Sequence, residues 1–411
     1  MQQLAKLQAL LAQLRPANRF YTSKLSAAIP ASLEEFYETV PFTTKQELAL
    51  DQQLHPPFGS NLTYPLHHYS RFSQTSGTSG KPMRWLDTTV SWNWMLDNWT
   101  CVFERAEVTV EDRVFFAFSF GPFLGFWVAF DAASRMGCLC MPGGGMPTAA
   151  RLAVMIDTGA TVLCCTPTYA IHMAEVAARE GIDLTRSKVR HVIVAGEPGG
   201  SIPSTRRRIE ELWNGARVVD HHGLTEVGPV SYGCPARRDV LHIIESSYIA
   251  EVIDSETGMH VPRGTQGELV LTNLGRHGSP LLRYRTGDLV VADPAGPCAC
   301  GTTDMALAGG ILGRADDMVV VRGVNVYPGA IEEVLRGAGG VAEYRVRVSQ
   351  LEGMHQLSIE VEADPTTADA ALAHRIEARL RDALSLRIPV TLVDVGLLPR
   401  FEMKARRWMK A

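Results

Sequence analysis

"ATVLCCTPTYAIHMAEVAAREG", residues 160–181, joins an unbroken apolar run to a helical pattern through a Thr-Pro turn. "ATVLCCT" has the length and apolar continuity of a buried strand, and the rest reads as a helix. The unit repeats at once. "VRHVIVAGEPG" (189–199) is a strand ending in a Gly/Pro turn, and "STRRRIEELWNG" (204–215) is the helix after it. Upstream, "DTTVSWNWMLDNWTCVFERA" (87–106) reads as a helix capped by Thr88 and Thr89, and "DRVFFAFSF" (112–120) as another buried strand. Strand–helix alternation predicts α/β layers with a mostly parallel sheet.

From about Ser246 the texture changes to short β runs: "YIAEVID", "GELVLTN", "PLLRYRTGD" and "LVVAD". They predict an antiparallel or barrel-like section. After "LGRADDMVVVRG" comes a small tail in which "YPGAIEEVLRG" is a helix with Pro328 in its first turn. "YRVRVS", "HQLSIEVEA" and "VTLVDV" are strands, with an amphipathic helix around Ala370 to Leu384. The expected fold class is therefore α/β. A large N-terminal domain of layered α/β sheets with a β-rich section, 1–313, precedes a small α+β C-terminal domain, 314–411.

With 411 residues the chain is long enough for two or three domains, and 46% hydrophobic with 20% charged residues is a globular composition. A formal charge of -4 offers no global cationic field for nucleic acid or anionic lipid. Arg206 to Arg208 read as a solvated helix face. The N-terminal stretch has helical spacing and lacks the pattern of a signal peptide, and no run approaches the ~20 apolar residues of a membrane span. A cytoplasmic protein is expected, and a homodimer is left open. Among the eight cysteines, Cys138, Cys140, Cys164 and Cys165 read as small core residues rather than parts of a disulfide framework.

"SQTSGTSGKPMRW" (73–85) raises the question of phosphate binding. Glycines let a backbone turn its N–H groups toward an anion, and Ser76, Thr78, Ser79 and Lys81 add hydroxyl donors and a point charge. A nucleotide-binding P-loop would need G-x-x-x-x-G-K-[ST] opening a helix. Here Gly77, Gly80 and Lys81 are too close together, Pro82 replaces the magnesium-holding hydroxyl, and "MRWLD" is strand-like. From the loop alone, an anion nest and a plain Ser/Gly turn both stay open.

Further segments come in order: "DHHGLTEVG" (220–228), "RYRTGDL" (283–289), "GRADDMVVVRGVNVYPGAIEE" (313–333) and "LPRFEMKARR" (398–407). Together with the loop they resemble the core motifs of the adenylate-forming superfamily of acyl- and aryl-CoA ligases, luciferase and peptide-synthetase adenylation domains. The phenylacetate-CoA ligase-like branch is the most similar, sharing "GLTEVG" before a Cys-rich stretch and the "RGVNVYP" form of the hinge motif. The resemblance implies that a carboxylate attacks the α-phosphorus of ATP to give an acyl-adenylate and pyrophosphate, and that a thiol then displaces AMP.

It also implies roles. The loop Ser76, Gly77, Thr78, Ser79, Gly80 and Lys81 would close over the β- and γ-phosphates. Thr225 would contact the α-phosphate, and Glu226, otherwise a helix cap, would hold Mg²⁺. Asp288 would accept the ribose hydroxyls and Arg314 would approach the phosphates. Asp316 would be the hinge of a mobile C-terminal domain, and Lys404 the adenylation lysine, with Lys410 a weaker competitor. Gly196, Glu197 and Pro198 would line the adenine and acyl pockets, beside His221, His222 and Gly223. Two departures stand out: Met403 precedes the lysine where a small residue is usual, and His222 replaces the tyrosine that stacks on adenine.

"GCPARRDVLHI" and "GPCACGTTD" offer Cys234, His242, Cys298 and Cys300, either a tetrahedral structural Zn²⁺ site or free cysteines in turns. Some relatives with a similar stretch carry a structural metal. Phe118, Phe120 and Phe123, with the "PGGGMP" turn, would wall an acyl pocket suited to an aromatic acid, although aromatic clusters are more often simply core. The acceptor thiol would be CoA or a carrier-protein phosphopantetheine. A non-catalytic relative would have lost Lys81, Glu226, Asp288 or Lys404, and all four are present.

Overall fold

The computed structural model describes residues 2–26, 28–75, 82–322, 324–351, 354–367, 369–401 and 405–410. The chain folds as two compact units, Met1–Gly145 with Val219–Gly310, and Met146–Val218 with Ile311–Ala411.

In the first unit the helix Gln2–Ala17 buries Leu7, Leu10, Leu11 and Leu14, the i, i+3, i+4, i+7 stripe of an amphipathic helix. Tyr69–Gln74 and Arg84–Thr88 pair as an antiparallel hairpin. The helix Thr89–Arg105 starts directly after it. Its cap is Thr88, whose hydroxyl accepts from the Ser91 N–H at 3.1 Å; Thr89 is the first helical residue. Arg113–Phe116 and Leu139–Pro142 are parallel neighbours joined through the helix Gly125–Arg135, a βαβ crossover. The β-rich section is antiparallel, as expected: Tyr248–Ile253 pairs with Gln266–Asn273, which pairs with Tyr284–Val291. A small sheet of Ser231–Gly233, Val240–Ile243 and Ala306–Ala308 completes the unit.

The second unit contains the strand–turn–helix of residues 160–181. Val162–Cys165 is fully buried, and Pro at the first position starts the helix Pro167–Arg179. Val162–Cys165 is parallel to His191–Val194, and the helix Pro203–Leu212 comes next. The C-terminal part is α+β. Val341–Leu351 and Met354–Ala363 form a long hairpin, extended in parallel by Trp408–Lys410 on one side and Val390–Val393 on the other. The helices Pro328–Gly337 and Leu372–Leu384 give it Ile331, Leu335, Ile376 and Leu380, which pack with Val346 and Val361 at no exposure. The fold is thus α/β, with parallel pairs, an antiparallel β-rich section and a mixed C-terminal sheet. Cys138, Cys164 and Cys165 are core residues and Cys140 is half-buried.

Candidate active site

The strands Tyr69–Gln74 and Arg84–Thr88 flank the Ser/Gly stretch in sequence and pair as a hairpin. Its neck is closed by paired hydrogen bonds: Thr75 N–H donates to the Met83 carbonyl at 2.9 Å, and Met83 N–H to the Thr75 hydroxyl at 3.0 Å. Ser76, Gly77, Thr78, Ser79, Gly80 and Lys81 lie outside the described residues, as does Lys404. The chain leaves the loop as a strand, where a P-loop would open a helix.

Thr225 and Glu226 sit in a tight turn between the short strands Gly223–Leu224 and Gly228–Pro229, not at a helix end. Gly228 has φ +106°, and a Cβ there would lie 3.0 Å from the Tyr248 hydroxyl and 3.4 Å from the Trp94 ring. Only glycine tolerates both demands. Glu226 is 4% exposed, and the Tyr284 hydroxyl donates to its Oε1 at 2.9 Å. Its Oε2 makes no hydrogen bond among the described residues. A nearly buried carboxylate with one oxygen unspent fits a hard divalent cation such as Mg²⁺.

The two histidines before this turn differ. His221 is buried with its ring 4.2 Å from that of Trp99, and its Nδ1–H donates to the Ser231 carbonyl at 2.6 Å. Burial pushes its pKa down to about 3, so the ring is neutral. His222 Nε2–H donates to Asp288 Oδ2 at 3.0 Å. That tautomer makes its Nδ1 an acceptor, and this buried atom has no hydrogen-bond partner among the described residues. The strand Tyr284–Val291 therefore grips the 222–226 segment at two points, with Tyr284 on Glu226 and Asp288 on His222. The register of this strand against Gln266–Asn273 shifts between the two, and Gly287 takes φ +76° there.

In the second unit Gly196 takes φ +94° and presents Glu197. Its Oε1 accepts from the Thr168 N–H and its Oε2 from the Ala405 N–H, each at 2.8 Å. Arg407 is buried. It donates through Nε and Nη2 to Glu343 at 2.6 and 3.1 Å, and through Nη1 to the Thr168 hydroxyl at 3.3 Å. Ala405 and Arg407 are thus fastened to Glu197 and to the first turn of the helix Pro167–Arg179. Arg314 donates to Asp316 at 2.9 Å, the two being partly and largely exposed. Pro198 is exposed beside Glu197.

The aromatic loop forms a half-buried cluster. Phe118 and Phe120 have ring centroids 4.2 Å apart, and Phe120 meets Trp127 edge-on at 4.8 Å. Gln74 N–H donates to the Pro122 carbonyl at 2.7 Å, tying this loop to the strand that enters the Ser/Gly loop.

The four proposed zinc ligands converge. The ligand atoms of Cys234, His242, Cys298 and Cys300 all lie within 4.8 Å of one another. Cys234 and Cys298 sulfurs are 3.5 Å apart, as are Cys300 Sγ and His242 Nε2. His242 Nδ1–H donates to the Asp304 carbonyl at 3.2 Å, which leaves the Nε2 lone pair facing the sulfurs. Strand pairing explains the distant spacing: His242 lies opposite Tyr232, and opposite Ala306 beyond the Cys298–Cys300 turn. This donor set fits a tetrahedral zinc ion.

Several contacts had no legible signal. Trp99 and Tyr284 lay in runs that read as helix and strand, and nothing singled out the Asp87–Arg276 ion pair, whose members are 189 positions apart.

Models of two families match the chain: the AMP-binding enzyme family over residues 72–275 and the AMP-binding enzyme C-terminal domain over 323–410. Phenylacetate-coenzyme A ligase of Thermus thermophilus is 33% identical over 391 residues, covering 88% of this chain and 84% of that protein. The Escherichia coli phenylacetate-coenzyme A ligase is 29% identical over 382 residues, with 89% and 83% covered. A crystal structure of 2-hydroxyisobutyryl-CoA ligase in the postadenylation state, in complex with 2-HIB-AMP, superposes with TM-score 0.93 at 27% identity over 100% of this chain and 89% of that one. The same ligase with 2-HIB-AMP and CoA in the thioesterification state gives 0.74 at 29% identity, over 99% and 88%. The chain belongs to the AMP-binding, adenylate-forming enzymes, in their phenylacetate-CoA ligase-like branch.

Proposed function

We propose that this AMP-forming acid–CoA ligase acts on an aromatic carboxylic acid, and that its motif residues divide the work between nucleotide, metal and acyl group. The carrying observation is the grip of one strand on the 222–226 segment, with an oxygen of Glu226 and a nitrogen of His222 left for a ligand. Glu226 would hold Mg²⁺, which would neutralise charge on the phosphates. Thr225 contacts the α-phosphate, and the 76–81 loop, with Lys81, holds the β- and γ-phosphates. Asp288, steered by His222, accepts from the ribose, and His222 Nδ1 accepts a hydrogen bond from the nucleotide. Gly196 to Pro198, His221 and Gly223 shape the adenine end.

In this reading the chain divides into 1–313 and 314–411, and the smaller domain turns about Asp316 beside Arg314. Lys404 contacts the carboxylate and α-phosphate during adenylation. Catalysis is mainly positioning and fixed positive charge around a crowded, anionic transition state. The half-buried Phe118–Phe120–Trp127 cluster supports an aromatic acyl group. The naming of CoA in the related ligases supports CoA as the acceptor, and the enzyme is read as cytoplasmic; no helix among the described residues is long and apolar enough to cross a membrane.

The cysteine cluster is read as a structural zinc site that cross-links the small sheet. Protein purified without chelator should contain about one zinc per chain; content near zero would remove the site. For the acceptor, thioester formation is compared with CoA and with a holo carrier protein. A CoA thioester is expected, and loading of the carrier alone would reassign the enzyme to carrier loading.

A further inference from the structure

Arg276 and Asp87 form an ion pair in which neither side chain is exposed at all. The fork is bidentate: Nε donates to Oδ1 and Nη2 to Oδ2, both at 2.7 Å. The remaining terminal nitrogen, Nη1, donates to the main-chain carbonyl of Thr225 at 2.8 Å. Asp87 lies on the strand Arg84–Thr88, which leaves the Ser/Gly loop. One guanidinium thus joins the hairpin bearing that loop to the turn bearing Thr225 and Glu226. Its guanidinium carbon also lies 5.5 Å from the centre of the Trp85 ring. Gly275 lets this backbone come close: a Cβ there would fall 2.2 Å from the Trp94 ring.

The chemistry is specific to arginine. Lysine has a single nitrogen and cannot grip both carboxylate oxygens while also reaching a separate carbonyl. Two apolar residues could fill the space without the cost of burying charge, but would leave the Thr225 carbonyl unheld. Because the peptide is planar, fixing that oxygen also fixes the direction of the Glu226 N–H. We propose that Arg276, anchored by Asp87, is a positioning residue that sets the Thr225–Glu226 turn against the phosphate-loop hairpin, and so places the Mg²⁺-holding carboxylate. The inference rests on the assignment of Glu226 to Mg²⁺.

The test uses the full chain and a non-cleavable ATP analogue with a methylene group between the α- and β-phosphates. Calorimetry gives its affinity with and without Mg²⁺. In Asp87→Leu/Arg276→Met, which replaces the pair by apolar side chains, the Mg²⁺-dependent gain in affinity should fall about tenfold. Adenylation kcat should fall on the order of 10- to 100-fold, with KM for the acid unchanged. A folded double variant with the wild-type Mg²⁺ gain and kcat would overturn the proposal. Should that variant not fold, Arg276→Lys, which keeps the charge, is judged by the same readings and decides the question. Glu226→Gln is measured alongside. If it leaves the Mg²⁺ gain intact, the Glu226 assignment fails; if it abolishes the gain while the Arg276 variants keep it, only the positioning role fails.

Discussion

Two buried arginines make a controlled comparison. Arg276 and Arg407 each clasp a carboxylate with two nitrogens and donate the third to a threonine on another segment, Thr225 in one case and Thr168 in the other. Arg276 is sealed, with a single acidic partner at no exposure. Arg407 sits in a larger cluster with Glu343, Glu332 and Arg336, at 7% exposure. The stretch around it has its further hold in a main-chain N–H on the half-buried carboxylate of Glu197. The first arrangement joins two segments within the first unit. The second ties the C-terminal part to the first turn of the helix Pro167–Arg179 within the second unit.

The largest expected effect is on stability. Arg407→Met strands Glu343 as a buried charge, and urea unfolding of the C-terminal part should show a loss of about 3–5 kcal/mol near neutral pH. The pH dependence sharpens this. Burial alone would raise the Glu343 carboxyl, but the charge and hydrogen bonds of Arg407, with Arg336, more than offset it and hold it below its ordinary 4.5. A depressed carboxyl adds stability above its unfolded pKa and loses it as the pH falls through the folded value. The variant lacks the Arg407 part of that offset, so its deficit should shrink as the pH falls below about 4.5. A deficit independent of pH would show that Glu343 is not the stranded group.

Next comes Lys404→Ala. Adenylation should fall on the order of 10²-fold or more, while thioester formation from a supplied adenylate falls far less. Equal losses in both steps would contradict the assignment of Lys404 to adenylation. The smallest effect belongs to Glu197→Gln. The amide can accept only one of the two N–H groups, so adenylation should slow about fivefold, the equivalent of one hydrogen bond, with little change in melting temperature. A loss as large as that of Lys404→Ala would place Glu197 in direct contact with substrate instead.

Much of the fold was legible because local pattern and packing agree. Val162–Cys165 and the helix from Pro167 stand where the apolar run and the proline put them, and the long C-terminal hairpin lies where "YRVRVS" and "HQLSIEVEA" predict it. The cysteine cluster was legible as a set of residue types, although only strand pairing brings Cys234 and His242 to Cys298 and Cys300. The residues that the ordered motifs assign to the nucleotide carry a sequence signal, whereas the side chains that hold them do not. Tyr284 inside "RYRTGDL" looks like an ordinary strand residue until its hydroxyl reaches Glu226. Asp87 and Arg276 carry no local signature, since a buried ion pair is created by the fold that joins them. His222, a departure from the motif, donates from its ring nitrogen to Asp288, a contact that no local pattern announces.

The most direct test of acid activation by adenylate formation is exchange of labelled pyrophosphate into ATP, measured across a panel of aryl and aliphatic carboxylic acids without any thiol. The account predicts exchange that depends on one class of acid, requires Mg²⁺, and turns into stoichiometric AMP and acyl-CoA when CoA is added. Acid-independent exchange, no exchange with any acid, or formation of ADP and phosphate in place of AMP and pyrophosphate would contradict it.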